Sequence, residues 1–473
     1  MTESNRPWGA SVKTMVEVAK RAAFNAGQIV VMGFLLGNVV GTILLMLPIS
    51  SAVEGSTDLL TAAFTSVSAL SLTGLTVVDT ATHWSWFGQA VILLLIKVGG
   101  FGIMALGSLI GLMFTQKLSF KTRLTSTSEQ QALGLDDFRH LLIRLFQISF
   151  WIETVLTVIL TLDFWLRYKE DFGLALWHGF FHSISAFNNA GFSIYEGSLM
   201  RFVSDPIVLL SISTAAVIGG LGFPVLIELS RRLIRRLKLA TFRPAELGVR
   251  LSLNARIVLL FSASLLLIGM IVTGALEWSN ANTLANLSFG DKLLNSYFAS
   301  VMARNNGYNA LDYSGFERET LIFTEGLMFI GGGSAGTSGG LRITTFAVLI
   351  YIVIAEIRGD ARVNTGTRRL SVSVQRTAVA LTMLSIIWVA AMVMAMQLIT
   401  DFNTDQILFE VISAFGTCGL STGITPDLPP AGKIMLMVMM FTGRIGLVLV
   451  ASSLAKRIRP MAYKLPKERP LIG

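Results

Sequence analysis

Residues 64–74 read FTSVSALSLTG, and this short apolar-and-hydroxyl stretch ending on a glycine returns three times, as FHSISAFNNAG (181–191), YFASVMARNNG (297–307) and FEVISAFGTCG (409–419). The closing glycines, Gly74, Gly191, Gly307 and Gly419, lie 117, 116 and 112 residues apart, so the repeating unit is about a quarter of the chain. Each stretch is too short to cross a bilayer at about 1.5 Å per residue, yet longer apolar runs flank every one. The expected form is a half-spanning re-entrant helix followed by a turn. Irregular backbone at that depth survives only where it is buried in protein or lines a watery path. Four such turns in one chain can meet around one axis.

Composition agrees with a membrane setting. The chain is 53% hydrophobic and 14% charged, which excludes disorder and points away from an ordinary soluble domain. Residues 1–25 are polar and basic, so no removable signal peptide is expected. The one cysteine, Cys418, cannot form an internal disulfide, and no His/Cys spacing suggests zinc. A net charge of +9 raises nucleic acid as a partner, but the basic residues fall in short loops between apolar runs, where they report topology. No nucleic-acid partner is expected.

No Lys or Arg occurs between Arg21 and Lys97, or between Arg376 and Lys433, and these stretches read as outer-side segments. The basic loops around Lys117 to Arg144, Arg231 to Lys238 and Arg358 to Arg376 read as cytoplasmic. The count is eight spans, with single runs such as 207–227 and 434–454 and a run at 321–354 broken in its middle. The fold class expected is an all-α polytopic membrane protein of four helix, pore loop, helix repeats, with eight transmembrane helices, four re-entrant half-helices and pseudo-fourfold symmetry around one pore. The units are a cytoplasmic segment (1–26), repeat 1 (27–116), repeat 2 with its preceding loop (117–238), repeat 3 (239–358), repeat 4 (359–455) and a cytoplasmic tail (456–473).

Each turn centres on one glycine: Leu72-Thr73-Gly74-Leu75, Asn189-Ala190-Gly191-Phe192, Asn305-Asn306-Gly307-Tyr308 and Thr417-Cys418-Gly419-Leu420. Potassium sheds its water only where a ring of oxygens replaces it, and backbone carbonyls suit that role. Glycine accepts positive φ, so carbonyls can turn toward an axis without a Cβ clash. The half-helix before each turn aims its negative dipole end inward, which favours a cation. Taken singly, each glycine reads as a helix C-cap; in register, they read as an ion-coordinating ring.

These turns, together with Gly99-Gly100-Phe101-Gly102, the run from Gly219 to Pro224, the run from Gly331 to Gly340 and Gly443-Arg444-Ile445-Gly446, resemble the Trk/Ktr/HKT superfamily of potassium transporters. Eight spans without an extra N-terminal pair look most like the membrane subunit of bacterial Ktr systems. The resemblance covers about residues 25 to 455. It implies potassium uptake across a bacterial plasma membrane, often with Na+ as activating or coupled ion, and a homodimer with one pore per subunit. It also implies a cytosolic nucleotide-binding ring as regulator, so any nucleotide acts through that partner. The basic cytoplasmic loops could dock such a ring or anionic membrane lipids. In some relatives a serine at the first glycine position goes with sodium permeation, and glycine at all four implies potassium.

By the same resemblance, Gly331, Gly332, Gly333, Ser334, Ala335, Gly336, Thr337, Ser338, Gly339 and Gly340 form an intramembrane gating loop below the filter. The run lacks the Gly-Lys-Ser/Thr ending of a phosphate loop, and a plain hinge between half-helices is the alternative. The family pattern has proline where Ala335 stands, which implies a less stiff loop. Arg444 lies 11 residues after Lys433, about 16 Å along a helix, well inside the bilayer. An ionisable group there faces a cavity or a partner, and the resemblance implies an electrostatic barrier beside the loop. Leu447 replaces a proline of the family. Lys97, inside an apolar run, reads either as a second barrier charge or as one half of a pair, with Glu153 as a candidate carboxylate. His182 and Arg304 read as loop supports, and Cys418 as a small residue whose carbonyl matters.

The histidines and the cysteine supply no paired ligand spacing for a membrane enzyme, so no enzymatic activity is expected. An inverted-repeat carrier would show two halves of opposite topology, whereas these units share one. An autonomous monovalent cation channel, or a sodium/potassium carrier without a ring, remains the alternative to the regulated pore.

Overall fold

Among the described residues of the computed structural model, three helices, Ile143–Leu166, Leu253–Glu277 and Val372–Gln397, are by themselves long and apolar enough to cross a membrane. The structure describes residues 26–53, 55–102, 135–239, 251–304, 306–334, 336–365 and 368–446. The N-terminal segment, the basic loop at 117–123, Asn305, Ala335, Leu447 and the C-terminal tail lie outside these residues.

Four units follow one another. The first is α1 (Ala26–Leu45), α2 (Leu59–Ser71) and α3 (Trp86–Gly102). The second is α4 (Leu135–Leu166), α5 (Phe172–Phe187) and a limb made of α6 (Pro206–Gly220) and α7 (Phe223–Leu239). The third is α8 (Leu253–Glu277), α9 (Phe289–Met302) and a limb made of α10 (Arg318–Phe329) and α11 (Ile343–Ile357). The fourth is α12 (Val372–Gln397), α13 (Thr404–Gly416) and α14 (Pro430–Ile445). The strands among the described residues are the two-residue β1 (Asn364–Thr365) and β2 (Arg368–Arg369).

The re-entrant helices α2, α5, α9 and α13 run 13, 16, 14 and 13 residues, about 20 to 24 Å at 1.5 Å per residue. That is short of an apolar layer about 30 Å thick. Local sequence starts each one: Asp58, Asp171 and Ser288 accept N–H bonds from Leu60, Gly173 and Asp291, and the Gln406 side chain accepts from Asn403 N.

One expected span is not continuous. The run read as 207–227 bends by 104° between α6 and α7. Gly222 takes φ +84 there, and Pro224 stands in the first turn of α7, where its missing N–H costs no hydrogen bond. The break expected inside 321–354 is present, between α10 and α11.

Apolar side chains lie on the outside of the long helices as well as in the core. Leu36, Trp151, Leu260 and Ile387 stand exposed on the long helices, while Ser66, Ser68, Ser183, Ser185, Ser300 and Ser413 are fully buried. Apolar outer faces suit lipid, and hydroxyls inside bond backbone. Packing runs between units: Phe187, Phe298, Val301 and Tyr308 join the second and third, and Leu70, Phe181 and Phe192 the first and second. In three units the returning limb meets the half-helix through a glycine. A Cβ on Gly99, Gly219 or Gly443 would collide with the carbonyl of Leu70, Phe187 or Phe415, each four residues before a turn glycine. The third unit departs from this rule, because its interrupted limb folds into the interior.

Candidate functional site

Each turn is shaped by the residues just before its glycine. Leu72, Asn189 and Thr417 adopt left-handed φ of 57°, 55° and 49°. The next amides then bond back, Thr73 N to Ser68 O at 2.8 Å, Ala190 N to Ser185 O at 2.8 Å and Cys418 N to Ser413 O at 2.9 Å. These three serines also use their hydroxyls. Ser68 Oγ accepts from Gly74 N and Ser413 Oγ from Gly419 N, both at 3.1 Å, while Ser185 Oγ donates to Phe192 O at 2.9 Å. They stand six residues before their glycines, and the third unit has Val301 there. Reading for glycines passed over them, although the recurrent serine is visible in the quoted stretches.

The four glycines come together in a ring. All take positive φ: 88° at Gly74, 71° at Gly191, 67° at Gly307 and 97° at Gly419. A Cβ added to Gly74 would press on the carbonyl of Ala190, on Gly191 on that of Asn306, on Gly307 on that of Cys418, and on Gly419 on that of Thr73. That Cβ would lie 3.1, 3.2, 2.9 and 3.1 Å from the Cα of the next glycine in the cycle. The order 1, 2, 3, 4 and back to 1 closes a ring in which each glycine faces the carbonyl preceding its neighbour's glycine.

Side chains behind the ring bind one unit to the next. Asn306 Nδ2 donates to Ala186 O at 3.0 Å, Tyr308 Oη to Phe192 O at 2.9 Å and the Cys418 thiol to Met302 O at 3.2 Å. Leu72, Thr73, Leu75, Ala190 and Leu420 are all buried. On one side the ring opens into a cavity of about 270 Å³, lined by the four glycines, Leu75, Phe192 and Leu420, with Asp79 and Asp312 at its wall. Helix ends at Ser71, Phe187, Met302 and Gly416 lead into the ring, each bringing a negative dipole end.

On the other side lies the glycine-rich loop. Its neck is closed by Gly331 N to Leu341 O at 2.7 Å and Leu341 N to Phe329 O at 3.2 Å. Its tip is tied to two turns: the Asn189 amide sits 2.7 Å from Thr337 Oγ1, and Gly339 N donates to Thr417 Oγ1 at 2.9 Å. Gly333 N bonds Gly220 O at 2.8 Å, and Gly340 N bonds Gly443 O at 3.2 Å. A Cβ on Gly336 would lie 3.0 Å from Gly222 Cα, so a side chain here would press on the α6–α7 bend. Gly332 and Ser334 lie within the same loop, and the Ser334 hydroxyl is 2.8 Å from Thr344 Oγ1.

Arg444 is buried beneath this loop, where it donates to Thr337 O and, at 3.2 Å, to Gly99 O. Arg342 donates to the adjacent carbonyl, Ser338 O. The sequence reading did not single out Arg342, although it follows the last glycine of the run by two residues. Two guanidiniums thus hold consecutive carbonyls of the loop.

Lys97, Glu153, His182 and Arg304 each bond neighbouring groups. Lys97 pairs with Glu153, which also accepts from Ser149 Oγ at 2.9 Å and from Asn188 Nδ2 at 3.1 Å. His182 Nε2 is 3.0 Å from Ser193 Oγ, and its ring stacks on Tyr195. Arg304 is buried, donates to Ser262 O at 3.3 Å and borders a cavity of about 30 Å³ shared with Asn189 and Gly332.

Known proteins share this chain's sequence and shape. The Ktr system potassium uptake protein B of Bacillus subtilis is 38% identical over 440 residues, 93% of this chain and 95% of that protein. The potassium/sodium uptake protein NtpJ of Enterococcus hirae is 33% identical over 471 residues, 97% and 100% of the two chains. The crystal structure of the potassium transporter TrkH from Vibrio parahaemolyticus superposes with a TM-score of 0.70 at 16% identity, over 92% of this chain and 86% of that one, a likeness of fold. The TrkH family profile, described as a cation transport protein, matches residues 9–460. With nearly its whole length matched, this chain belongs to the TrkH family, which consists of membrane transport proteins and not enzymes.

Proposed function

We propose that this chain takes up potassium ions across a bacterial plasma membrane through the ring of four single-glycine turns. The observation that carries the reading is the closed cycle in which each turn glycine abuts the carbonyl before the next. Such a ring presents neutral oxygens to a dehydrated cation and has no room for a side chain, as a potassium filter requires. The names of the relatives, potassium uptake proteins of Ktr systems and a potassium/sodium uptake protein, support the same ion.

The loop from Gly331 to Gly340 is the gate, closed in this conformation by its bonds to Asn189 and Thr417 and held by Arg444 and Arg342. Arg444 adds a positive barrier on the ion path. Turnover comes from binding that is weak and multi-site, and opening from withdrawal of the loop. A homodimer, a cytosolic nucleotide-binding ring docking on the basic loops, anionic lipids at the inner surface and cytoplasmic termini complete the reading. Sodium acts as activating or coupled ion, which the name of the Enterococcus relative favours.

The test is rubidium and potassium uptake in a bacterium lacking its own potassium transporters, with and without sodium and with and without the candidate ring protein. Uptake that is weak alone and rises with the ring supports the regulated pore. Equal uptake in both arms would favour the autonomous channel, and no potassium or rubidium uptake in any arm would remove the proposal.

A further inference from the structure

The fourth turn is backed by a buried acid for which the pore reading has no role. Glu410 is fully buried, nine residues before Gly419 and about two and a half turns down α13. Its Oε1 accepts from Ser421 Oγ at 2.6 Å and from Thr422 N at 3.0 Å, and its Oε2 accepts from Thr425 Oγ1 at 2.8 Å. Ser421, two residues beyond Gly419, lines the outer cavity. The carboxylate therefore grips the limb that leaves the ring, while Ser413 Oγ holds the Gly419 amide.

The second turn has the same construction with a different group. His182 stands nine residues before Gly191 and meets Ser193, two residues beyond it, at 3.0 Å. The first and third units carry Thr65 and Phe298 at this position. Thr65 Oγ1 turns back to its own helix, donating to Thr61 O at 2.9 Å, and phenylalanine has no polar atom. Because the ring runs 1, 2, 3, 4, units 2 and 4 face each other across it. At this position one diagonal carries a side chain that bonds its own exit limb, and the other diagonal does not.

A carboxylate at this depth is costly unless its oxygens are fully bonded, so it does not earn its place as filler. With three donors it becomes a rigid clamp, since hydrogen bonds to an ionised oxygen are shorter and stronger than neutral ones. Sodium is smaller than potassium, and a ring whose exit limb is clamped resists contracting around it. We propose that Glu410 is a specificity-positioning residue: through Ser421 and Thr422 it holds the carbonyls of the fourth turn at the spacing that prefers potassium over sodium. The inference rests on the pore reading and concerns selectivity, whereas that reading concerns conduction.

The experiment is rubidium uptake with sodium competition in potassium-transport-deficient cells expressing wild type, Glu410→Gln or Ser421→Ala, normalised to the transporter present in the membrane. Glu410→Gln preserves shape but cannot accept on both oxygens, and is expected to lower the potassium-over-sodium preference about tenfold (~1.4 kcal/mol). Ser421→Ala removes one link without touching the charge, and is expected to shift the preference the same way by a smaller factor. It answers the question even where Glu410→Gln fails to insert. Less protein with an unchanged preference per transporter in both variants would make Glu410 a purely structural group and overturn the proposal. Absence of rubidium uptake by wild type would instead overturn the pore reading itself.

Discussion

At the residue scale, the ring depends on backbone angles that most side chains resist. Gly307 has φ +67 and faces the Cys418 carbonyl and the Gly419 Cα. Asp tolerates left-handed φ better than most residues, so Gly307→Asp folds, but its Cβ must displace the neighbouring carbonyl. The expected outcome is a loss of potassium-over-sodium preference of about tenfold or more, read by sodium competition against rubidium uptake. Thr417 adopts φ +49, an uncommon state for a β-branched residue. Its hydroxyl accepts from Gly339 N, so the strained residue is also the one that ties the ring to the glycine-rich loop. That coincidence was not legible in the sequence, where Thr417 and Cys418 read as members of the fourth ion-coordinating turn with no link to the loop.

At the element scale, the glycine-rich loop is held from three directions. Two turns hold its tip, the α6–α7 bend packs on its side, and two arginines hold the carbonyls of Thr337 and Ser338. Thr417→Val keeps the branched shape but removes the acceptor for Gly339 N, at a cost of about 1 kcal/mol to the seating of the loop on the fourth turn. Potassium flux without the ring protein should rise about fivefold. Arg444→Ala removes both a buried positive charge and a bond to the loop, and its ring-independent flux should exceed that of Thr417→Val. Proteoliposome flux assays measure both, and unchanged flux in both variants would detach the loop from gating. The loop and Arg444 were legible because six glycines and a deep arginine are anomalies in an apolar run. The bend at Gly222 was not, because residues 207–227 are apolar enough to read as one span and only the tertiary fold brings the loop against them.

At the scale of the whole molecule, four units that resemble one another are joined by one repeating contact, the glycine ring, and by others that do not repeat. Lys97 of the first unit pairs with Glu153 of the second, and Glu153 reaches Asn188 beside the second turn. Losing one partner strands the other in a largely buried site, so Glu153→Ala should destabilise the protein by about 3 kcal/mol. The double variant Lys97→Gln with Glu153→Gln should recover most of that loss, since a neutral amide pair leaves no stranded charge. Thermal unfolding of the purified protein in detergent would show whether the double change restores the midpoint. The Arg318–Asp405 pair between the third and fourth units lies on the exposed rim, and its removal should change stability little. The sequence proposed Glu153 as a partner for Lys97 from charge alone; adjacency across 56 residues required the fold.

The sequence by itself determined the class of the molecule, the fourfold recurrence of half-helix and glycine, and the two features that interrupt apolar runs. These are properties of local composition and period, which a chain carries whatever its three-dimensional arrangement. The tertiary structure alone decided the cyclic order of the glycines, the pairing of the loop with Asn189 and Thr417, and the bracing of one diagonal by Glu410 and His182. Each of these joins residues whose distance in the chain exceeds a helical turn or spans whole units. Close packing between units, not local propensity, sets which backbone meets which carbonyl.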